Sequence, residues 1–273
     1  MSEALVGKTV EQVSVVDVTA SKGSWRYGSI VQPPDVFLES LEGATILAVE
    51  RVANSILLPI GTERILALGY VSGRILYHEP GKAAPPKSCL RLMFSDGSQL
   101  SVTISMWGLV RLLDRVDLQQ FVAHWYGPGV EPLSDEYTWE RFQAAASGVE
   151  DPRLSAKKFL HAFEPCYHVA GIDSGYAIDI LHRCGTHPKR TLASLSREEL
   201  QACYHAVNTV MEEAVCGGGR SDAMDLFGQR GRFVPHACKE TLGTPCHECG
   251  TPIEKLKLEG GSSYFCPTCQ PLP

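Results

Sequence analysis

Cys246 and Cys249 form one Cys-x-x-Cys pair and Cys266 and Cys269 a second, with residues 250–265 between them. Thiolate sulfurs bind zinc tetrahedrally, and two such pairs supply the four ligands of one ion. Gly250 after the first pair and Pro267 inside the second suit the tight turns of metal knuckles. Iron in a rubredoxin-like site is the chemical rival, because the same knuckles serve it. Zinc is expected, since nothing nearby resembles an electron-transfer protein. Four thiolates leave no open position for water, so the ion would be structural. Between the knuckles, IEKLKL and SSYFC read as two strands joined by Glu259-Gly260-Gly261. This is a hairpin carried on the metal, with Lys255 and Lys257 available to a nucleic-acid backbone.

Other side chains could serve the same chemistry. Lys189 and Arg190 follow His187-Pro188 in a turn, and Lys157 and Lys158 open a short helix. Each pair reads either as phosphate contacts or as a solvated charged surface. The nine histidines are dispersed, and no pair has the spacing of a catalytic metal site. The six cysteines outside the terminal cluster are scattered, and most read as small core residues.

The elements that must position these residues fall into two kinds. Residues 8–105 carry β-branched residues in short runs broken by Gly, Pro and Asn, the pattern of a sandwich or barrel. Asp96-Gly97 between two apolar runs predicts a hairpin. Beyond the turn-rich PGVEPLSD, the periodicity becomes helical. TWERFQAAASG and SAKKFLHAFE are short helices, and GYAIDILHRCG places Ala177, Ile180, Leu181 and Cys184 on one face. The next helix opens on Ser196 and Glu199 as a capping box and carries the stripe Leu200, Cys203, Tyr204, Val207, Met211. The fold class expected is α+β. It comprises a β-sandwich over 1–127, a helical domain over 128–222 and a four-cysteine zinc hairpin over 223–273.

The 273 residues allow a sizeable core, and no apolar run is long enough to span a bilayer. The N-terminus lacks the basic and apolar segments of a secretory leader, so the cysteines read as reduced and the protein as cytoplasmic. A net charge of -6 argues against a protein coated in basic patches, without excluding a local basic face.

The segments VAGIDSGYAIDILHRCGTHPKRTLASLSREEL, DLFGQRGRF and CHECGTPIEKLKLEGGSSYFCPTCQPLP, in that order behind a β-rich half, resemble the formamidopyrimidine-DNA glycosylase / endonuclease VIII family of base-excision repair proteins. The resemblance is weak before residue 130 and strong after it. It implies a helix–two-turn–helix motif and a zinc-stabilised DNA-binding hairpin. The implied activity is flipping of a damaged base, cleavage of its glycosidic bond and nicking of the strand through a Schiff base. The implied partner is lesion-containing double-stranded DNA, bound by a monomer in the cleft between the two domains. Met106 and Trp107 resemble the region whose side chain fills the gap left by a flipped base.

The chain departs from this pattern at specific residues. The family's nucleophile is the α-amine of an N-terminal Pro followed by a catalytic Glu, whereas this chain begins MSEALVGKTV. Either an initiator lies upstream of Met1 or the catalytic head has been lost. Ser2 and Glu3 could imitate the amine–carboxylate pair if Met1 is removed. Asn54 stands where a catalytic strand Lys is implied. Ser174 replaces the Asn of the phosphate contact, Asp173 the Gly before it, and Gly261 the gripping Arg of the hairpin. The resulting expectation is a DNA-repair protein of the glycosylase/AP-lyase family that binds damaged or abasic duplex DNA with weak or absent lyase activity. The alternative is a non-catalytic protein that recognises lesions or unusual DNA.

Overall fold

The structure, a computed structural model, describes residues 1–16, 32–69, 72–105, 108–127, 129–161 and 168–272. Met1–Phe121 with Ala223–Arg230 make one compact unit; Val122–Asp222 with Gly231–Pro273 make the other.

The first unit opens with α1 (Ser2–Leu5) and β1 (Val10–Val15), and α2 (Pro34–Leu41) follows. The remaining strands are β2 (Glu50–Val52), β3 (Ser55–Ile60), β4 (Arg64–Gly69), β5 (Gly73–His78), β6 (Leu90–Phe94), β7 (Gln99–Ile104) and β8 (Leu109–Asp114). They form two antiparallel sheets, ordered β1-β6-β7-β5 and β2-β3-β4-β8. Val13, Leu92 and Leu100 of one sheet and Leu58, Leu66 and Leu112 of the other share a single buried core, which makes the pair of sheets a sandwich. The expected hairpin joins β6 to β7, with Gly97 at φ 81° and the Asp96 carboxylate accepting from Ser98 N at 2.9 Å. An ion pair from Lys8 holds the same carboxylate down to about 2.

The reading of residues 8–105 as wholly β needs correction at α2. PDVFLESL is helical because Pro34 opens the first turn, Asp35 favours its dipole, and Phe37 and Leu41 fall one turn apart on the buried face. Ala223–Arg230 returns to this unit, where Leu226 is buried in its core and its carbonyl accepts from Tyr77 N at 2.7 Å.

A further helix absent from the sequence reading, α3 (Leu118–Tyr126), carries the chain into the second unit. There follow α4 (Trp139–Ser147), α5 (Ala156–His161), α6 (Ser174–Arg183), α7 (Arg197–Cys216), β9 (Glu254–Leu258) and β10 (Gly261–Phe265). Thr138 caps α4, and Ser196 and Glu199 form the expected capping box of α7. Arg190 reinforces that box with two bonds to Glu199, at 2.8 and 3.0 Å, so its guanidinium is committed to structure. Phe142, Phe159, Ile180, Leu181 and Val207 fill the helical core. No helix among the described residues is long and apolar enough to cross a membrane.

Burial holds the His161 imidazole down to about 4, with Lys157 adding to the effect. Burial also lowers His168 and His187. A histidine whose folded pKa lies below its unfolded value of about 6.5 favours folding above that value, and the contribution is lost as pH falls. The melting temperature of the helical unit is therefore expected to drop between pH 6.5 and 4. A His161→Leu variant followed by circular dichroism should show a shallower drop; an unchanged slope would exclude His161 as a source.

Candidate functional site

The four expected ligand sulfurs converge, all within 4.8 Å of one another. Cys246 and Cys269 sulfurs are 3.9 Å apart, and those of Cys249 and Cys266 3.4 Å. Four thiolates at about 2.3 Å from zinc define a tetrahedron with edges of about 3.8 Å, so the donor set fits one ion. Cys269 N donates to Cys266 Sγ at 3.4 Å, and His182 Nε2 lies 3.3 Å from Cys246 Sγ. With Cys246 ionised as a ligand, the imidazole N–H is the donor, and it orients the sulfur as a neighbour of the metal's own shell.

The hairpin between the knuckles is short and tightly turned. Glu259 and Gly260 both adopt positive φ, 53° and 76°, the two-residue turn that matches strand twist. Its register places Lys255 opposite Tyr264 and Lys257 opposite Ser262, so these four side chains share one face of the ribbon. The other face carries Phe265, whose ring meets His187 edge-on at 4.8 Å. Buried Gln270 completes the docking, receiving a bond from Cys266 N and donating to Thr186 O at 2.7 Å.

Ser262 and Tyr264 also line a cavity of about 190 Å³ beside the N-terminus of α6, together with Ser174, Arg220 and Lys239. Asp173 caps α6 here, accepting from Gly175 N at 2.7 Å and Tyr176 N at 3.1 Å. Its charge is met by Arg220, whose Nη1 lies 2.6 Å away, whose Nε binds Asp222 at 2.8 Å, and whose guanidinium stacks over Tyr176. A Cβ on Gly175 would lie 1.8 Å from Arg220 Nη1, so only glycine admits that approach. The repulsion that Asp173 would exert on a phosphate is thus offset by an internal cation 47 positions away in sequence. Lys239, Lys255 and Lys257 are exposed and form no ion pair among the described residues.

The chain is 32% identical over 248 residues to a formamidopyrimidine-DNA glycosylase of Gluconobacter oxydans, spanning 85% of this chain and 84% of that protein. The chain belongs to the formamidopyrimidine-DNA glycosylase family. A Bacillus cereus member is 28% identical over 288 residues, covering 99% of this chain and 95% of its own length. Residues 243–272 match the zinc finger found in FPG and IleRS, which decides zinc over iron for the terminal cluster. The fold agrees. A solved Lactococcus lactis Fpg, in complex with DNA containing an abasic site, superposes with a TM-score of 0.83 at 18% identity, over 99% of this chain and 95% of that one.

Against the formamidopyrimidine-DNA glycosylase pattern, the sequence-derived site residues separate into groups. Ser174, Lys255 and Lys257 come to one surface with Ser262, Tyr264, Arg220 and Lys239. Arg220 and Lys239 carried no sequence signal, since each sits in a loop without periodicity. Lys189 is exposed in its turn, its N–H donating to His187 Nδ1 at 3.0 Å. Lys157 is only 2% exposed, with Glu259 of the hairpin turn as its nearby charge. Ser2 and Glu3 lie on the four-residue α1, with Glu3 exposed. Met106 and Trp107 lie outside the described residues. Asn54 occupies the β2–β3 turn, and its buried Oδ1 has no partner among the described residues. The histidines that looked dispersed are partly gathered: His236 stacks on His247 at 4.7 Å and meets His182 edge-on at 5.9 Å.

Proposed function

We propose that this protein binds duplex DNA at damaged or abasic sites as a DNA-repair protein of the base-excision type. The observation that carries the reading is the zinc-docked hairpin. It presents Lys255 and Lys257 on the same ribbon face as the Ser262 and Tyr264 that flank the α6 N-terminus. Phosphates draw their affinity from such unpaired lysines, while hydroxyls and helix ends fix register. Ser174, Lys189, Lys239, Lys255 and Lys257 are the contacts proposed, with zinc holding the hairpin through Cys246, Cys249, Cys266 and Cys269. The protein is expected to act as a monomer on the DNA of the cytoplasm.

Each phosphate neutralised releases counterions, and the slope of log affinity against log salt is about -0.9 per contact. The double variant Lys255→Ala/Lys257→Ala should therefore flatten that slope by about 2 and weaken binding uniformly across sequences. Fluorescence anisotropy at several salt concentrations measures it. A parental slope in the double variant would remove both lysines from the interface.

Asn54 favours a second reading, recognition without strand cleavage, because an amide at this turn cannot act as the implied amine. Borohydride trapping on abasic-site DNA separates the two. A covalent adduct supports the glycosylase/lyase activity of the family; its absence with binding intact supports recognition alone.

A further inference from the structure

Cys184 closes α6 at its C-cap and Cys203 lies in the second turn of α7, yet their sulfurs are only 2.9 Å apart. Thr186 Oγ1 bridges them, at 3.4 Å from Cys184 Sγ and 3.6 Å from Cys203 Sγ. Cys203 is 3% exposed, whereas Cys184 is half-buried at the helix end. The remaining described cysteines outside the metal cluster behave differently: Cys89 donates to Val102 O, Cys238 to Pro235 O, and Cys216 is exposed. We propose that Cys184 and Cys203 are a peroxide-reactive pair, Cys184 being oxidised first and Cys203 converting it to a disulfide that ties α6 to α7.

The geometry assigns the two roles. Either sulfur can donate across the 2.9 Å contact; with the proton on Cys203, the hydrogen bond holds the Cys184 thiol below its usual range and Cys203 well above it. The thiolate is the nucleophile in such chemistry; both sulfurs are buried, and Cys184 is the more exposed residue of the two, at the helix end. Cys184 sulfur attacks one oxygen of hydrogen peroxide, forming an S–O bond as the O–O bond breaks. The departing hydroxide takes the Cys203 proton and leaves as water. Cys203 sulfur then attacks the Cys184 sulfenic acid; the S–S bond forms, the S–O bond breaks, and the second hydroxide is protonated by solvent. The two sulfurs lose two electrons in all, and one peroxide becomes two waters. Closing residues 184–203 into a loop restricts the unfolded chain.

The test uses the zinc-loaded full chain treated with equimolar hydrogen peroxide, alkylated and digested with trypsin without reduction. Cleavage after Arg183, Lys189, Arg197 and Arg220 puts the two cysteines on separate peptides. The expected result is a disulfide-linked peptide pair and a melting temperature higher by about 5–10 °C than that of the reduced protein. In Cys203→Ser, dimedone should label Cys184 as the arrested sulfenic acid. Released zinc, followed with a colorimetric chelator, reports oxidation of the metal cysteines separately. Full alkylation of Cys184 and Cys203 after peroxide treatment of the wild-type chain would overturn the proposal. Dimedone labelling of Cys203 in Cys184→Ser as fast as of Cys184 in Cys203→Ser would overturn the assignment of roles.

Discussion

Replacing Cys266 by serine is expected to release the zinc and unfold residues 244–270, with DNA affinity falling at least about 100-fold. The reason is the size of the hairpin's own core. Its own apolar cluster among the described residues is Cys246, Ile253 and Cys266, with Tyr264 and Cys269 packed against them, while Phe265 is buried on the other face against His187. Such a cluster cannot offset the entropy of ordering the segment. Apparent zinc binding contributes about 10–16 kcal/mol in comparable peptides, so here the metal supplies the folding energy. Cys266 is the most buried of the four ligands, and its sulfur also receives the Cys269 N–H. The backbone N–H of residue 266 persists in the variant, but unfolding of the knuckle carries it away from Gln270 Oε1 and so loosens the bond from Gln270 to Thr186 O as well. Hydrogen exchange should show the amides of β9 and β10 exposed while those of α7 stay protected. Protected hairpin amides in a metal-free variant would show that zinc is not needed for the fold.

Asp179→Ala is expected to destabilise the helical unit by about 3–5 kcal/mol, lowering its melting temperature by about 10 °C. Asp179 is fully buried on α6, and one carboxylate oxygen accepts from His236 N at 2.6 Å and Ala237 N at 3.3 Å. The other binds Arg183 Nε at 3.0 Å, and Arg183 in turn grips Glu213 of α7 through both terminal nitrogens. One carboxylate thus ties α6 to α7 and to the segment entering the zinc hairpin. Alanine leaves the His236 and Ala237 N–H groups and Arg183 Nε–H without their acceptor, while Glu213 keeps the terminal nitrogens, and stranded buried donors cost more than the bond itself was worth. Asp179→Asn keeps one acceptor oxygen and should lose less. Thermal melts of both variants check the order, and an alanine variant as stable as the parent would exclude the hub.

The parts of this architecture visible in the sequence are those set by local rules. The four ligands were legible because knuckle spacing is a covalent constraint, and α6 and α7 because a 3.6-residue stripe faces a core. Ser196 and Glu199 announced their capping box three residues apart. What stayed hidden depends on distant segments meeting. Arg220 reaches Asp173 only because Gly175 has no side chain in its path, and no local pattern records that. Cys184 and Cys203 looked like two core positions on two helices until the helices packed. Asp179, between Ile178 and Ile180, is a buried acid in an apolar stretch whose partners lie on α7 and beyond. PDVFLESL read as part of a β run because eight residues leave the helical period barely two turns in which to show itself.

Recognition of damaged DNA is measured by titrating the zinc-loaded chain against a duplex containing an abasic-site analogue and against the same duplex intact, at low and physiological salt. Binding to both is expected at low salt, with a preference for the abasic duplex of at least about tenfold at physiological salt and a steep salt slope. Equal affinity for the two duplexes, or no binding even at low salt, would contradict it.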